Sequence, residues 1–598
     1  MDYHTCPSLA AMFFDWAARR GDRPFLWTKR DGVYRAISWR EAARQVSAFA
    51  RGLRLLGIGR GDRVGLVAEN RPEWMIADLA VMTAGAITVP AYTTHTVEDH
   101  RHLLSNSGAK AVIVSTPALA HRVMPAADQV STISSIISME PLRSGQLSHA
   151  EVHRWDEVMG AGADLADEVS AWVAAIKRDD VACLVYTSGT GGVPRGVMTT
   201  HANIFANCYG AFRLLETIGL GDEVFLCFLP LSHAYEHTAG MMFPISLGAE
   251  IYFAESAETL AANLQEARPT IMTAVPRLYE TMHQRIVRGI ERQGGLRAKL
   301  FALALDLGKK RLDHPDELTL GDRARDLAAD LLVRRAIRAR FGGRLKAMVS
   351  GGAPLNAEIG RFFLALGVRL LQGYGQTEAG PVVSVNPPKR IKIDTVGPPL
   401  AGVDVRIAPD GEILVRGELV MKGYCNDPEA TAHAITDGWL HTGDVGELDG
   451  DGYLRITDRK RDFIKSSGGD MVSPARVEGY LTLQPEIGQA MVFGDRRPYL
   501  VAVIVPNAEF LDSFAARRNA KPDLAALAGD ADLHKVVGAA VARVNAELSP
   551  VERVRRFVLA REPFTTFNGQ MTPTLKIKRH AIRHAYGDAL QALYEAAK

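Results

Sequence analysis

Cysteine is scarce. The 598-residue chain has five, Cys6, Cys183, Cys208, Cys227 and Cys425, with neither metal-like nor disulfide-like spacing. That argues against a disulfide scaffold and fits a reducing compartment. An excess of either charge is also lacking: 70 lysines and arginines against 68 aspartates and glutamates leave +2. So close a balance speaks against a general nucleic-acid binder. No run of about 18 uncharged apolar residues occurs, so no bilayer-crossing span is expected. The opening Met1-Asp2-Tyr3-His4 lacks a basic n-region, and Asp15, Arg19 and Arg20 interrupt the apolar stretch behind it. The expectation is no signal peptide and a cytoplasmic location. Internal repeats and low-complexity tracts are missing as well. What is present is ordinary: 47% apolar and 23% charged residues, in a chain long enough for about four domains or subdomains. Such a composition suits a large enzyme.

The order of elements sets the fold class. Ser38 and Glu41 have capping-box spacing, and Val46, Phe49, Ala50, Leu53 and Leu56 recur at helical intervals until Gly57, which predicts a helix. Residues 64–68 predict a buried strand, 73–83 a helix behind Pro72, 86–89 a strand, and 111–114 another. Strand, helix and strand with short connections predict a mostly parallel sheet covered by helices, continuing to about residue 390.

Two regions break this alternation. Residues 276–346 predict nearly continuous helix. Within it Leu327 and Leu331, then Val333, Ile337 and Phe341, form apolar stripes, while Arg334, Arg335, Arg338 and Arg340 crowd the other faces. A basic amphipathic helix can lie on an anionic membrane, and it can equally be the solvated face of a helical subdomain; the second reading is the plainer one. From about 390 to 458, short β runs between glycine turns predict a β-rich subdomain. After 462, strand-like 490–493 and 500–505 mix with helices, as in a small α+β domain.

The sharpest local signal is Tyr186-Thr187-Ser188-Gly189-Thr190-Gly191-Gly192-Val193-Pro194-Arg195-Gly196, behind an apolar strand at 181–185. Its hydroxyls and glycines can bring donors close to phosphate oxygens. It lacks the terminal Gly-Lys-Ser/Thr of a Walker loop, and alone it reads equally well as a surface turn. Seven further motifs follow: 229–237 (Leu-Pro-Leu-Ser-His-Ala-Tyr-Glu-His), 275–280, 350–355 (Ser-Gly-Gly-Ala-Pro-Leu), 372–378 (Gln-Gly-Tyr-Gly-Gln-Thr-Glu), 437–444, 458–462 and 569–576. All eight stand in the order found in the adenylate-forming superfamily of acyl-CoA synthetases, adenylation domains and luciferases. The chain closely resembles that superfamily over essentially its whole length, since 69–74 (Glu-Asn-Arg-Pro-Glu-Trp) is similar to the family's N-terminal part.

The resemblance implies an α/β fold. A large N-terminal domain, 1–461, would hold helix-covered mixed sheets, the helical insertion and the β-rich subdomain; a small mobile α+β lid, 462–598, would swing about a hinge at Arg461. It also implies a site. Thr187, Ser188, Gly189, Thr190, Gly191, Gly192 and Arg195 would cradle the phosphates of ATP. Gly351, Gly352, Ala353, Gln372, Gly373, Tyr374, Gly375 and Thr377 would hold adenine and the α-phosphate. Glu378 and Thr190 would hold Mg²⁺, which prefers hard oxygen ligands. Asp444 and Arg459 would take the ribose, and His233 would lie near the acyl carboxylate. Lys576 would touch both carboxylate and α-phosphate, lowering the barrier by position and charge. After the swing, Ser467, Gly468 and Gly469 would reach the cleft for CoA.

His233, Glu236 and His237 also spell a zinc-peptidase pattern, His-x-x-Glu-His; the surrounding motif favours the adenylating reading. The long helical stretch is similar to the long-chain fatty acyl-CoA synthetase branch, and a methylene-burying tunnel suits a long apolar acid. The expected partners are therefore a long-chain fatty acid, ATP and CoA, with no nucleic acid, and with membrane contact and a homodimer left open. Alternatives are another acid, a carrier-protein acceptor, or a degenerate binding homologue. Gly191, Arg195, Arg461 and Asp470 depart from the family's usual residues, which is what raises the last alternative.

Overall fold

Local chemistry starts the helices where the sequence places them. Ser38 Oγ accepts the Glu41 backbone N–H at 3.2 Å and caps helix Trp39–Leu55. Only half of the expected box forms, because the Glu41 carboxylate turns to Arg44 and Gln45. Thr96 with Asp99, and Thr200 with Asn203, make the full reciprocal box. Helix Pro72–Thr83 buries every residue except Glu73, as a helix packed on all sides must.

The computed structural model describes all residues except 143–147, 164, 166–167, 188–192, 257, 461–463, 468–470, 573–575 and 596–598. Two eight-stranded sheets carry the larger part. In one, strands Val382–Val385, Leu370–Gly375, Ala347–Ser350, Ile271–Ala274, Val224–Cys227, Glu250–Phe253, Pro24–Arg30 and Val33–Ser38 lie in that order. In the other, the order is Gly423–Tyr424, Arg195–Thr200, Val181–Thr187, Ile87–Pro90, Arg63–Val67, Ala111–Val114, Ser135–Ser138 and Glu151–Arg154. The central ladders of both are parallel, and antiparallel pairs stand towards the edges. One continuous apolar core, containing Trp39, Trp74, Leu66 and Phe225, draws on both sheets.

A third, antiparallel sheet joins Asp404–Ile407, Glu412–Arg416, Ile435–Thr436, Trp439–Leu448 and Leu454–Arg459. The C-terminal part packs helices on strands Ile487–Phe493, Leu500–Pro506 and Val554–Leu559. It also rests on helix Pro276–Gln293, whose Arg288 pairs with Glu509 and donates to Asn507 Oδ1 at 3.1 Å.

The helical insertion corrects the reading of its arginines. Helices Pro276–Gln293 and Gly295–Asp313 meet at Gly294 and Gly295, both with positive φ. Helix Leu320–Ala329 then runs through a π-helical turn, Asp330–Arg334, into helix Arg335–Arg340. Ile337 and Phe341 are buried as expected, but Leu327 and Leu331 are 66% and 58% exposed. Arg334, expected on an open face, is wholly buried: it donates to Asp326 Oδ1 at 2.6 Å and Ala304 O at 2.7 Å. A paired, hydrogen-bonded guanidinium is the form in which a buried charge is tolerated. Arg338 likewise turns to Asp330, at 2.8 Å. Among the described residues no helix is long and apolar enough to cross a membrane.

Candidate functional site

Ligands of parallel α/β sheets sit beyond the carboxyl ends of the strands, and the motif residues gather there. Strand Ala347–Ser350 delivers Gly351, Gly352 and Ala353, and its neighbour Leu370–Gly375 delivers Gln372, Gly373, Tyr374 and Gly375, followed by Thr377 and Glu378. Gly375 is obligatory, since a Cβ there would lie 1.9 Å from Pro381 O. Three buried polar atoms in these two segments, Ser350 Oγ, Gln372 Oε1 and Gln376 Nε2, have no hydrogen-bond partner among the described residues. Unpaired buried donors and acceptors lining one pair of strand ends suit a polar, planar ligand.

Tyr374 donates its hydroxyl to Asp444 Oδ2 at 2.6 Å, and the Arg459 Nε–H reaches Asp444 Oδ1 at 2.9 Å. Burial, then the Asp444 charge, raises the Tyr374 hydroxyl well above its ordinary pKa, so it stays a donor. Asp444 and Arg459 are opposite each other across an antiparallel ladder. An adenine-sized aromatic face, a buried carboxylate and a guanidinium therefore form one unit.

Strand Val181–Thr187 brings Thr187 to the edge of the cleft. Ser188, Gly189, Thr190, Gly191 and Gly192 lie outside the described residues, as do Arg461, Gly468, Gly469 and Asp470. Arg195 pairs with Asp427 at 3.2 Å and lies over the Tyr424 ring, 5.4 Å from its centroid. Tyr424 donates to Glu378 Oε1 at 2.9 Å. Sequence reasoning missed Tyr424, which belongs to no motif; only the pairing of Gly423–Tyr424 with strand Arg195–Thr200 places it between Arg195 and Glu378. Glu378 Oε2 has no hydrogen bond to another described residue, which leaves a hard oxygen for a cation.

His233, from the larger part, and Lys576, from the C-terminal part, come within electrostatic reach of each other. Burial, then the Lys576 charge, lowers the His233 imidazolium to about 3, so the ring is neutral. Its Nδ1 accepts the Tyr235 N–H at 3.2 Å, which leaves the proton on Nε2. Surrounding protein, then the Arg459 charge, lowers the Lys576 ammonium to about 8 against the pull of Asp444. The residue is nonetheless exposed to solvent, which screens these interactions. Lys576 is thus close enough to sense His233, Arg459 and Asp444 together. Ser467 is elsewhere: its N–H donates to Arg497 O at 3.0 Å within the C-terminal part, and no hydrogen bond to the Tyr374–Asp444 unit is present among the described residues.

The zinc-peptidase pattern does not assemble. His237 Nε2 is 2.9 Å from buried Asp78 Oδ2, while Glu236 accepts from Thr273 Oγ1 at 2.6 Å and from the Phe228 N–H at 3.1 Å. His233 precedes the π-helical stretch Glu236–Met242, and its Nδ1 is taken by Tyr235. The three side chains serve separate partners, so they present no common ligand face. Burial pushes the Glu236 carboxyl up to about 7.

The model of the AMP-binding enzyme family matches residues 13–425, and that of the AMP-binding enzyme C-terminal domain matches 461–598. The chain belongs to this family. It is 34% identical over 597 residues to the long-chain-fatty-acid–CoA ligase FadD15 of Mycobacterium bovis, covering 98% of this chain and 97% of that one. It is 30% identical over 556 residues to long-chain-fatty-acid–CoA ligase 5 of Mus musculus, covering 89% and 80%. Among solved structures, the A domain of a carboxylic acid reductase from Segniliparus rugosus, in complex with AMP and a co-purified carboxylic acid, superposes with a TM-score of 0.79. It is 22% identical and covers 99% of this chain and 95% of that one. The α/β architecture with its β-rich third sheet and separate C-terminal domain is thus shared with adenylate-forming enzymes.

Proposed function

We propose that the chain is an ATP-dependent, AMP-forming long-chain fatty acid:CoA ligase. The observation that carries this reading is that Lys576 senses His233, Arg459 and Asp444 together, with Asp444 bonded to both Arg459 and Tyr374. Similarity over 98% and 89% of the chain to two ligases named for long-chain fatty acids supports the substrate.

ATP lies with adenine against Tyr374, between Gly351–Ala353 and Gln372–Gly375, and with its ribose hydroxyls on the remaining lone pairs of Asp444. Thr377 and Arg195 face the phosphates, and Arg195 leaves Asp427 to do so. Glu378, with Thr190, would hold Mg²⁺; bound there, the ion offsets triphosphate charge. The acid's carboxylate sits between the Nε2–H of His233 and the Lys576 ammonium. One carboxylate oxygen attacks the α-phosphorus, the bond to pyrophosphate breaks, and Lys576 stabilises the charge that develops on the transferred group. Residues 462–598 then swing about Arg461, withdraw Lys576 and bring Ser467, Gly468 and Gly469 to the cleft. The CoA thiol loses its proton and attacks the acyl carbonyl; AMP leaves and a thioester remains. One hinge lets one cleft serve both steps. The working location proposed is cytoplasmic, peripheral at the inner face of a membrane.

AMP release with CoA, measured across acids of increasing chain length with CoA omitted as control, tests the reading. Release that rises with chain length and needs CoA supports it. No AMP with any acid would mean a nucleotide-binding homologue without ligase activity.

A further inference from the structure

The exposed face of the helical insertion combines two features that rarely occur together on a solvated surface. The first is apolar. Leu303, Leu327, Leu331 and Leu332 are 39%, 66%, 58% and 66% exposed. Leu300, Leu303, Arg325, Ala328, Leu332 and Val333 line one hollow between helices Gly295–Asp313 and Leu320–Ala329. Leu303 and Leu332 belong to that hollow, while Leu327 and Leu331 are exposed on the same helical run; contiguous exposed apolar patches mark interaction sites.

The second is charge. Each aspartate of residues 320–341 is spent on a basic partner: Asp322 on Lys310 at 2.9 Å, Asp326 on Arg311 and Arg334 at 2.8 and 2.6 Å, Asp330 on Arg338 at 2.8 Å. Arg323, Arg325, Arg335 and Arg340 stay exposed and pair with no carboxylate among the described residues. Arg323 stands four residues before Leu327 on helix Leu320–Ala329 and so beside it, and Arg335 follows directly on the π-helical turn that carries Leu331 and Leu332.

We propose that this face docks on an anionic lipid bilayer, with the leucines entering the acyl boundary and the four arginines on headgroup phosphates. It deepens the peripheral location proposed above and rests on that location alone, not on the substrate. Charge complementarity selects the occupant. A second copy packed face to face would set four unpaired arginines against four more, whereas phosphodiester headgroups neutralise them. The π-helical turn at Asp330–Arg334 accompanies a change of phase: Val333, Ile337 and Phe341 face the core while Leu331 and Leu332 face out.

The test is co-sedimentation of the full chain with vesicles of phosphatidylcholine, with and without phosphatidylglycerol. The unaltered chain is expected to bind the anionic vesicles, weakly the neutral ones, and less as salt rises. Leu327→Ser with Leu331→Ser and Leu332→Ser, and separately Arg325→Gln with Arg335→Gln, should each lower the partition coefficient roughly tenfold or more. AMP release with a water-soluble acid should be unchanged in both; if the leucine set misfolds, the arginine set decides. Binding by the unaltered chain that both variants retain would refute this face while keeping the membrane location. No binding to any vesicle would refute both. A dimer in light scattering that the leucine variant converts to monomer would assign the face to a second copy and overturn the proposal.

Discussion

In the proposed mechanism, Lys576 sets a pH dependence that separates the two half-reactions. Its ammonium is lowered to about 8, by surrounding protein and then by Arg459. Adenylation uses the charged form, which predominates below that value and is lost above it. Raising the medium from about pH 7 to about pH 9 should leave about a tenth of the free enzyme with Lys576 charged. The kcat/KM of acyl-AMP formation, read as exchange of labelled pyrophosphate into ATP, should fall by about that factor. Thioester formation from preformed acyl-AMP should not follow this titration, because it proceeds with Lys576 withdrawn. Lys576→Arg keeps a charge throughout the range and should flatten the alkaline fall. Lys576→Ala should cost roughly a hundredfold or more in the first step and little in the second. If both half-reactions fall together with pH, or both drop equally in Lys576→Ala, the lysine is not the adenylation group.

Tyr374→Phe keeps the aromatic face but removes a donor from a buried carboxylate, a bond of about 1.5–3 kcal/mol. The KM for ATP should rise roughly tenfold, and an unchanged KM would reject Asp444 as the ribose acceptor. Tyr424→Phe frees Glu378 Oε1 and should raise the Mg²⁺ needed for half-maximal activity roughly tenfold; the same requirement would detach Tyr424 from the metal site. Glu236 has a folded pKa raised to about 7, so its contribution to stability is complete below the unfolded value and disappears as pH rises through about 7. Denaturant titrations should show that decline, of about 3 kcal/mol at most. Glu236→Gln should remove it, and identical pH profiles would refute the assignment.

Much of the candidate site was legible because its motifs are local. Gly375 must be glycine within its own strand pair, and Asp444 and Arg459 belong to one hairpin, so short segments carry their own signal. Tyr424 carried none: it is an ordinary aromatic residue until an edge-strand pairing sets it beside Glu378. The arginines of the insertion misled in the opposite direction. Six basic residues at 323–340 look alike on a helical wheel, yet Arg334 is buried against Asp326 and Ala304 while Arg335 is exposed. Helical phase decides that, and a π-helical turn changes the phase with no glycine or proline to announce it.

The amino-acid sequence by itself determined the alternation of strands and helices, the cap at Ser38, and the membership of the family. Each of these depends on spacing within a few residues or on ordered motifs. Tertiary structure alone decided which charges share a partner. Lys576 lies 343 residues beyond His233 in the chain, and nothing in either segment specifies that the two ionisations are coupled. Burial in the folded chain lowers both pKa values first, and the docking of the C-terminal part adds the Lys576 charge beside His233 and the Arg459 charge beside Lys576, because desolvation and Coulomb energy depend on distance through space, not on separation along the chain.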